Sequence, residues 1–202
     1  MKMNLPNKLT ILRLCLVPAI IAVLLLPVSW VTDILGAVIF LAASLTDMLD
    51  GKIARKRGLI TDFGKFLDPL ADKFMVIAAM MAIIYRSADN KLIFNVFMPL
   101  LIITVFRELA VASIRLVAST TAGVVVAANM LGKIKTVAQI VFIMAALLEP
   151  SLGLFGGRVF SVLSFFSYYP ITCTAALVTL VFTVWSGVVY IASYWKYLDP
   201  AK

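Results

Sequence analysis

Four aspartates, in a chain that is otherwise mostly hydrocarbon, are the residues whose type and spacing can do chemistry. They lie in one stretch, Asp47-x-x-Asp50-Gly51-x-x-Ala54-Arg55, then eight residues, then Gly64-x-x-x-Asp68-x-x-x-Asp72. On a helix, residues three or four apart share a face, so Asp47 pairs with Asp50 and Asp68 with Asp72. Gly51 and Ala54 keep the surface beside the first pair bare. Gly64, one turn before Asp68, does the same for the second, as a closely approaching ligand requires. Four carboxylates on two facing helices repel one another, and in a low dielectric they stay ionised only if something cancels them. Aspartate oxygens suit hard divalent cations such as Mg²⁺, Mn²⁺ or Ca²⁺. The chain has no His, and Cys15 and Cys173 are remote from each other in sequence, which argues against a zinc site of N and S ligands. Two metals held by shared carboxylates can clamp a diphosphate during an in-line displacement. A plainer alternative pairs the acids with Lys52, Arg55, Lys65 and Lys73 as surface charges near a membrane interface. It is disfavoured because acids without a role are rare in membrane segments.

Other charges sit where apolar surroundings make them expensive. Thr10 and Arg13 are three apart on the first apolar segment. They are either a helix cap with a snorkelling arginine or contacts to a ligand's phosphate or nucleotide. Arg107, Glu108 and Arg115 lie in a strongly apolar segment, and charges at such depth face a cavity or a partner. Arg107 and Arg115 fall about 80° apart on a helical wheel, close enough to line one pocket. Alternatively Glu108 bridges to one of them and merely ties helices together, although one acid cannot fully satisfy two bases. Lys133, Lys135, Thr136 and Gln139 open a later segment. The two lysines are topology signals or, with Arg107 and Arg115, a cradle for a phosphate.

The elements that must position these groups are membrane helices. The 202 residues are 63% hydrophobic, with a mean hydropathy of +1.06, whereas soluble domains are about half apolar. Six apolar segments are expected: from Asn7, which can cap it, to about Leu26; Val31 to Arg57; Asp62 to Arg86; Leu92 to Val117; Leu131 to Leu148; and Pro170 to Trp195. The second and third are antiparallel and bring all four aspartates to one end, with Gly58 stopping the one and Thr61 or Asp62 capping the other. The stretches 119–129 and 149–169 read as connections, the latter with interfacial aromatics. All of this makes one membrane-embedded domain over residues 1–202, all-α and integral to the membrane. Met1 to Leu26 resembles a signal peptide, but Arg13 interrupts the apolar run and no clear cleavage site follows, so it is expected to be retained. Both cysteines read as small buried hydrophobes. The net charge of +8 is dispersed between apolar segments, which points to membrane orientation and anionic lipid rather than nucleic acid. Lys2, Lys8, Arg55, Lys56, Arg57, Lys65, Lys133, Lys135, Lys196 and Lys202 fall on one side in a six-helix topology, and Arg86, Lys91 and Arg158 on the other. The richer side belongs in the cytoplasm, and with it the aspartates, at the inner face of the cell membrane.

The aspartate pattern matches, position for position, the signature of the CDP-alcohol phosphatidyltransferase family. Its eight fixed residue types over 26 positions make it far more specific than a lone glycine loop. The start, Pro6-Asn7-x-Leu9-Thr10-x-x-Arg13, and the stretch Gly132-Lys133-x-Lys135-Thr136-x-x-Gln139 resemble the phosphatidylglycerophosphate synthases of that family. The resemblance implies a six-helix bundle that transfers the phosphatidyl group of CDP-diacylglycerol to sn-glycerol 3-phosphate and releases CMP. It implies two Mg²⁺ or Mn²⁺ on Asp47, Asp50, Asp68 and Asp72, with Asp72 also taking the proton of the attacking hydroxyl. It implies CDP-diacylglycerol contacts from Asp50, Gly51, Ala54, Arg55, Thr61 and Gly64, joined by Thr10 and Arg13. Arg107, Arg115, Lys133 and Lys135 would bind the glycerol 3-phosphate. A homodimer is implied too, and small residues on several helices permit one. Inositol phosphate or serine as the acceptor, or transport of a cation or phosphorylated solute, are the alternatives. Against transport stands the lack of half-repeat symmetry or a broken-helix pair.

Overall fold

In the computed structural model the described residues form six α-helices: α1 (Leu5–Leu24), α2 (Trp30–Arg57), α3 (Asp62–Arg86), α4 (Lys91–Thr121), α5 (Met130–Leu152) and α6 (Pro170–Tyr194). The structure describes residues 4–57, 62–121, 130–152 and 169–195, with side chains except at 5–6, 48–57, 62–63, 65–66, 92, 119–121 and 151–152. Among the described residues there is no strand. Helices α1, α2, α5 and α6 each hold a run of 18 or more residues apolar enough to cross a membrane. Helices α3 and α4, with 25 and 31 residues, also exceed the roughly 20 that span the hydrocarbon. This is a multi-pass membrane protein.

Its side chains are sorted as lipid demands. Leu12, Val38, Phe106, Leu109, Val181 and Trp185 face outward, while Thr10, Arg13, Glu108, Lys135, Gln139 and Thr179 are buried. Hydrocarbon does not penalise an exposed leucine, but a polar group must find its partners inside the bundle. Thr179 Oγ1 thus donates to the carbonyl of Ala138 at 3.0 Å and joins α6 to α5. The apolar core is built on Ile20, Leu24, Phe40, Met80, Phe142 and Ile143, with Phe97 edge-on to Phe142 at 5.0 Å between centroids. Gly36 lets α2 close on α1, because a Cβ there would fall 2.6 Å from Leu24 Cδ2. Helix α1 packs on both α2 and α3, and α5 on α2, α3 and α6.

Three local expectations are corrected. Helix α1 starts at Leu5 and not after Asn7, with Asn4 at the cap position. Proline is favoured in a first helical turn, where its missing N–H is not needed, so Pro6 lies inside the helix and Asn7 is buried. Helix α5 continues through Pro150 to Leu152, so Glu149 belongs to a helix and not to the connection. Its carboxylate caps α6, accepting from Ile171 N at 3.0 Å and from Thr172 N and Oγ1 at 2.7 Å. Those are backbone donors that a helix start leaves unpaired. Cys173 is buried, but Cys15 is exposed. Arg13 and Val17 occupy the inward face of α1, and residue 15 lies about 200° from each. Gly58, Thr61 and the connections at 122–129 and 153–168 lie outside the described residues.

At the end of the bundle away from the aspartates, Arg86 forms an ion pair with Asp33 and joins α3 to α2. A cavity of about 200 Å³ opens there, lined by Asp33, Arg86, Asn90 and Tyr169 among others.

Candidate active site

The antiparallel course of α2 and α3 places Asp47 ten residues before the end of one helix and Asp72 ten residues after the start of the other. Both therefore sit at one depth, about 15 Å along each helix from the end where α2 leads into α3. Asp47 lies within electrostatic reach of Asp68 and of Asp72. Pro69, between Asp68 and Asp72, cannot donate to the carbonyl four residues back, which loosens the backbone ladder of α3 beside the acids.

Helix α1 supplies the first partners of these carboxylates. Arg13 is fully buried, and its Nη1 stands 2.6 Å from Asp47 Oδ1. It does not snorkel. Thr10, also buried, donates its hydroxyl to Asp68 Oδ1. Three residues apart, the two reach the acids of two different helices from one face of α1. Asp72 is the uncommitted carboxylate: among the described residues it has no hydrogen-bond or ion-pair partner. It lies within electrostatic reach of Asp47 and Arg13 on one side and of Lys135 and Glu108 on the other.

That other side is a basic cluster. Glu108 of α4 is buried. Its Oε1 accepts from Arg107 Nη1 at 3.0 Å and from Lys135 Nζ of α5. Lys73 of α3 donates to the backbone carbonyl of Glu108 at 3.4 Å, with its Nζ 4.0 Å from Oε2. Arg107 Nε is buried without a hydrogen-bond partner among the described residues, leaving a donor for an anion. Arg107 also abuts Gly132 and Gly187, whose Cβ would fall 3.8 and 3.1 Å from its Nη2 and Cγ. An apolar cleft of about 160 Å³ between α4 and α6, with Arg107 in its wall, opens beside this cluster.

Of the residues singled out from sequence, Thr10, Arg13, Asp47, Asp68 and Asp72 form one connected group, and Arg107 and Lys135 a second, joined through Glu108. Arg115 lies two turns beyond Arg107, exposed, its Nε donating to Tyr190 Oη of α6 at 3.3 Å. Lys133 is exposed, and Thr136 turns its hydroxyl to the Gly132 carbonyl at 3.1 Å. Gly64 is buried. Asp50, Gly51, Ala54 and Arg55 lie on α2, but their side chains fall outside the described ones, as does Thr61 entirely. Sequence reading underrated Lys73, whose only signal is its place next to Asp72, and missed Tyr190, which carries none.

Hard oxygen donors on two facing helices are the right kind for Mg²⁺ or Mn²⁺. Among the described residues no three such groups converge closely enough to hold an ion. Asp47 and Asp68 each give one oxygen to α1, and Asp72 gives none. The donor set fits a divalent cation in chemistry, with oxygens on all three acids left for it.

A model of the CDP-alcohol phosphatidyltransferase family matches residues 3–185. The chain is 41% identical to a Bacillus subtilis protein over 98% of its own length and 99% of the relative's. It is 35% identical to one from Wigglesworthia glossinidia brevipalpis, covering 83% and 92% of the two chains. It is 36% identical to one from Escherichia coli K12, covering 75% and 81%. All three are named CDP-diacylglycerol–glycerol-3-phosphate 3-phosphatidyltransferase.

Proposed function

On the premise that the chain belongs to the CDP-alcohol phosphatidyltransferase family, we propose that it is the enzyme that makes phosphatidylglycerol phosphate. It transfers the phosphatidyl group of CDP-diacylglycerol to sn-glycerol 3-phosphate and releases CMP. The names of relatives that match it nearly end to end support glycerol 3-phosphate over serine or inositol phosphate. The observation that carries the reading is the junction at Asp72, with an acid group held by α1 on one side and a basic cluster on the other.

The reaction breaks the bond between the lipid phosphorus and the CMP oxygen, and forms one to a hydroxyl of glycerol 3-phosphate. Asp47, Asp50, Asp68 and Asp72 would hold Mg²⁺ or Mn²⁺, which supplies charge neutralisation to the diphosphate when bound. Arg13 and Thr10 fix the orientation of Asp47 and Asp68. Asp72, with no hydrogen-bond or ion-pair partner among the described residues, is the base that takes the hydroxyl proton. A base must lie within hydrogen-bond reach of the proton it removes, and the neighbouring basic cluster brings the acceptor there. Arg107 and Lys135 grip its phosphate, a dianion suited to guanidinium and ammonium donors. By the family resemblance Gly51, Ala54, Arg55, Thr61 and Gly64 would hold the nucleotide; Arg115 and Lys133, nearer the cytoplasm, draw the phosphate in. The positive-inside distribution supports an active site facing the cytoplasm of the bacterial inner membrane. The family resemblance implies a homodimer, which the small residues on several helices permit.

The test is an acceptor screen. Purified protein with CDP-diacylglycerol and Mg²⁺ should release CMP with glycerol 3-phosphate and not with serine or inositol phosphate. CMP release with another acceptor, or with none, would refute the assignment.

A further inference from the structure

Three cations from three helices, Lys73, Arg107 and Lys135, surround one buried carboxylate, and the division of labour between its oxygens is unequal. Oε1 alone accepts from both Arg107 and Lys135. Oε2 stands 4.0 Å from Lys73 Nζ, beyond hydrogen-bond distance. Lys73 is held instead by the backbone carbonyl. A neutral bridging oxygen would keep both hydrogen bonds to the phosphate-gripping cations, without the ionic attraction. What the second oxygen adds is negative charge.

We propose that Glu108 is a positioning residue with a second task, an internal counter-charge that sets the acceptor pocket to a net charge of +2. This deepens, and rests on, the reading of Arg107 and Lys135 as the phosphate site. Three cations minus one carboxylate match a phosphate monoester dianion. Without the acid the pocket carries +3. The acceptor brings its phosphate monoester in, and the product carries the same group out, untouched by the reaction. Attraction beyond what matches that group binds substrate and product alike and does not favour the transition state. Glu108 trims this excess, so that the phosphate is held for reaction and then released. A residue that only tied helices together would need the bridge but not the charge.

The test is Glu108→Gln, which keeps an oxygen to bridge Arg107 and Lys135 and removes the charge. Coulomb attraction at these distances predicts a fall in KM for glycerol 3-phosphate of roughly three- to ten-fold. Inhibition by inorganic phosphate should tighten by a similar factor, and kcat should fall as product leaves more slowly. The KM for CDP-diacylglycerol should move less than that for glycerol 3-phosphate, since the contacts of Glu108 are all with the basic cluster. Lys73→Gln, which leaves the hydrogen bonds of Arg107 and Lys135 to Oε1 in place, should weaken phosphate inhibition by a comparable factor. The double variant, restored to +2, should return it towards the wild-type value. An unchanged or raised KM in Glu108→Gln, or phosphate inhibition unmoved in Lys73→Gln, overturns the proposal. Wild-type turnover in the same assay separates the two readings. If wild type releases no CMP with glycerol 3-phosphate, the proposed activity itself fails; if it does and the variants do not shift, only the counter-charge fails.

Discussion

Thr10→Val isolates the contribution of α1 to the acid group. Valine has nearly the shape of threonine, so at a position only 1% exposed it fills the same space and deletes one donor. The lost interaction is the hydroxyl hydrogen bond to Asp68 Oδ1. A hydrogen bond to a charged group contributes about 1.5–3 kcal/mol, and about 1.4 kcal/mol is a factor of ten in an equilibrium constant. The same range arises for groups that orient a metal ligand, whose removal weakens metal affinity by roughly 10–100-fold. Thr10→Val should therefore raise the Mg²⁺ or Mn²⁺ concentration for half-maximal CMP release by roughly ten-fold or more. At saturating metal the rate should recover substantially, and Thr10→Ser should behave like wild type. The assay is CMP release across a metal titration at fixed, saturating lipid and glycerol 3-phosphate. An unchanged metal dependence in a folded Thr10→Val protein would refute the idea that α1 orients Asp68 for a cation.

Asp72→Asn should abolish turnover, by on the order of a thousand-fold or more as expected for loss of a general base, while CDP-diacylglycerol still binds; near-normal turnover would remove Asp72 from the base role. Glu149→Ala deletes three hydrogen bonds at the start of α6 and should destabilise the protein by about 2–4 kcal/mol, the Thr172 donors being buried. A thermal midpoint lowered by roughly 5–15 °C in detergent, with KM unchanged, would agree, and an unshifted midpoint would not.

Much of the fold is legible in the sequence because hydropathy and charge act over whole segments. The bounds of α2 and α3 follow from where apolar runs meet Arg57, Asp62 and Arg86. Helix ends are less legible. The first helix is expected from Asn7 and residues 149–169 as a connection, yet a first turn accommodates Pro6, and Glu149 is needed inside the bundle to cap α6. The aspartate spacing is likewise visible, because a three- or four-residue repeat has one meaning on a helix. Which partner each acid takes is not visible, since Thr10 and Arg13 come from α1, Asp47 from α2 and Asp68 from α3, and only packing decides their contacts. The basic pocket was half legible for the same reason. Arg107 and Arg115 share a helix face by angle, but the two turns between them let Glu108 engage Arg107 and Tyr190 engage Arg115.

We propose that carboxylates of α2 and α3 together hold a divalent ion at the lipid-linked diphosphate. This central claim is tested most directly by Mn²⁺ binding, followed by electron paramagnetic resonance on purified wild type and Asp68→Asn, with and without CDP-diacylglycerol. Wild type should take up Mn²⁺ more tightly when the lipid is present, and Asp68→Asn should lose that uptake. Equal Mn²⁺ binding by the two proteins, or binding indifferent to the lipid, would contradict it.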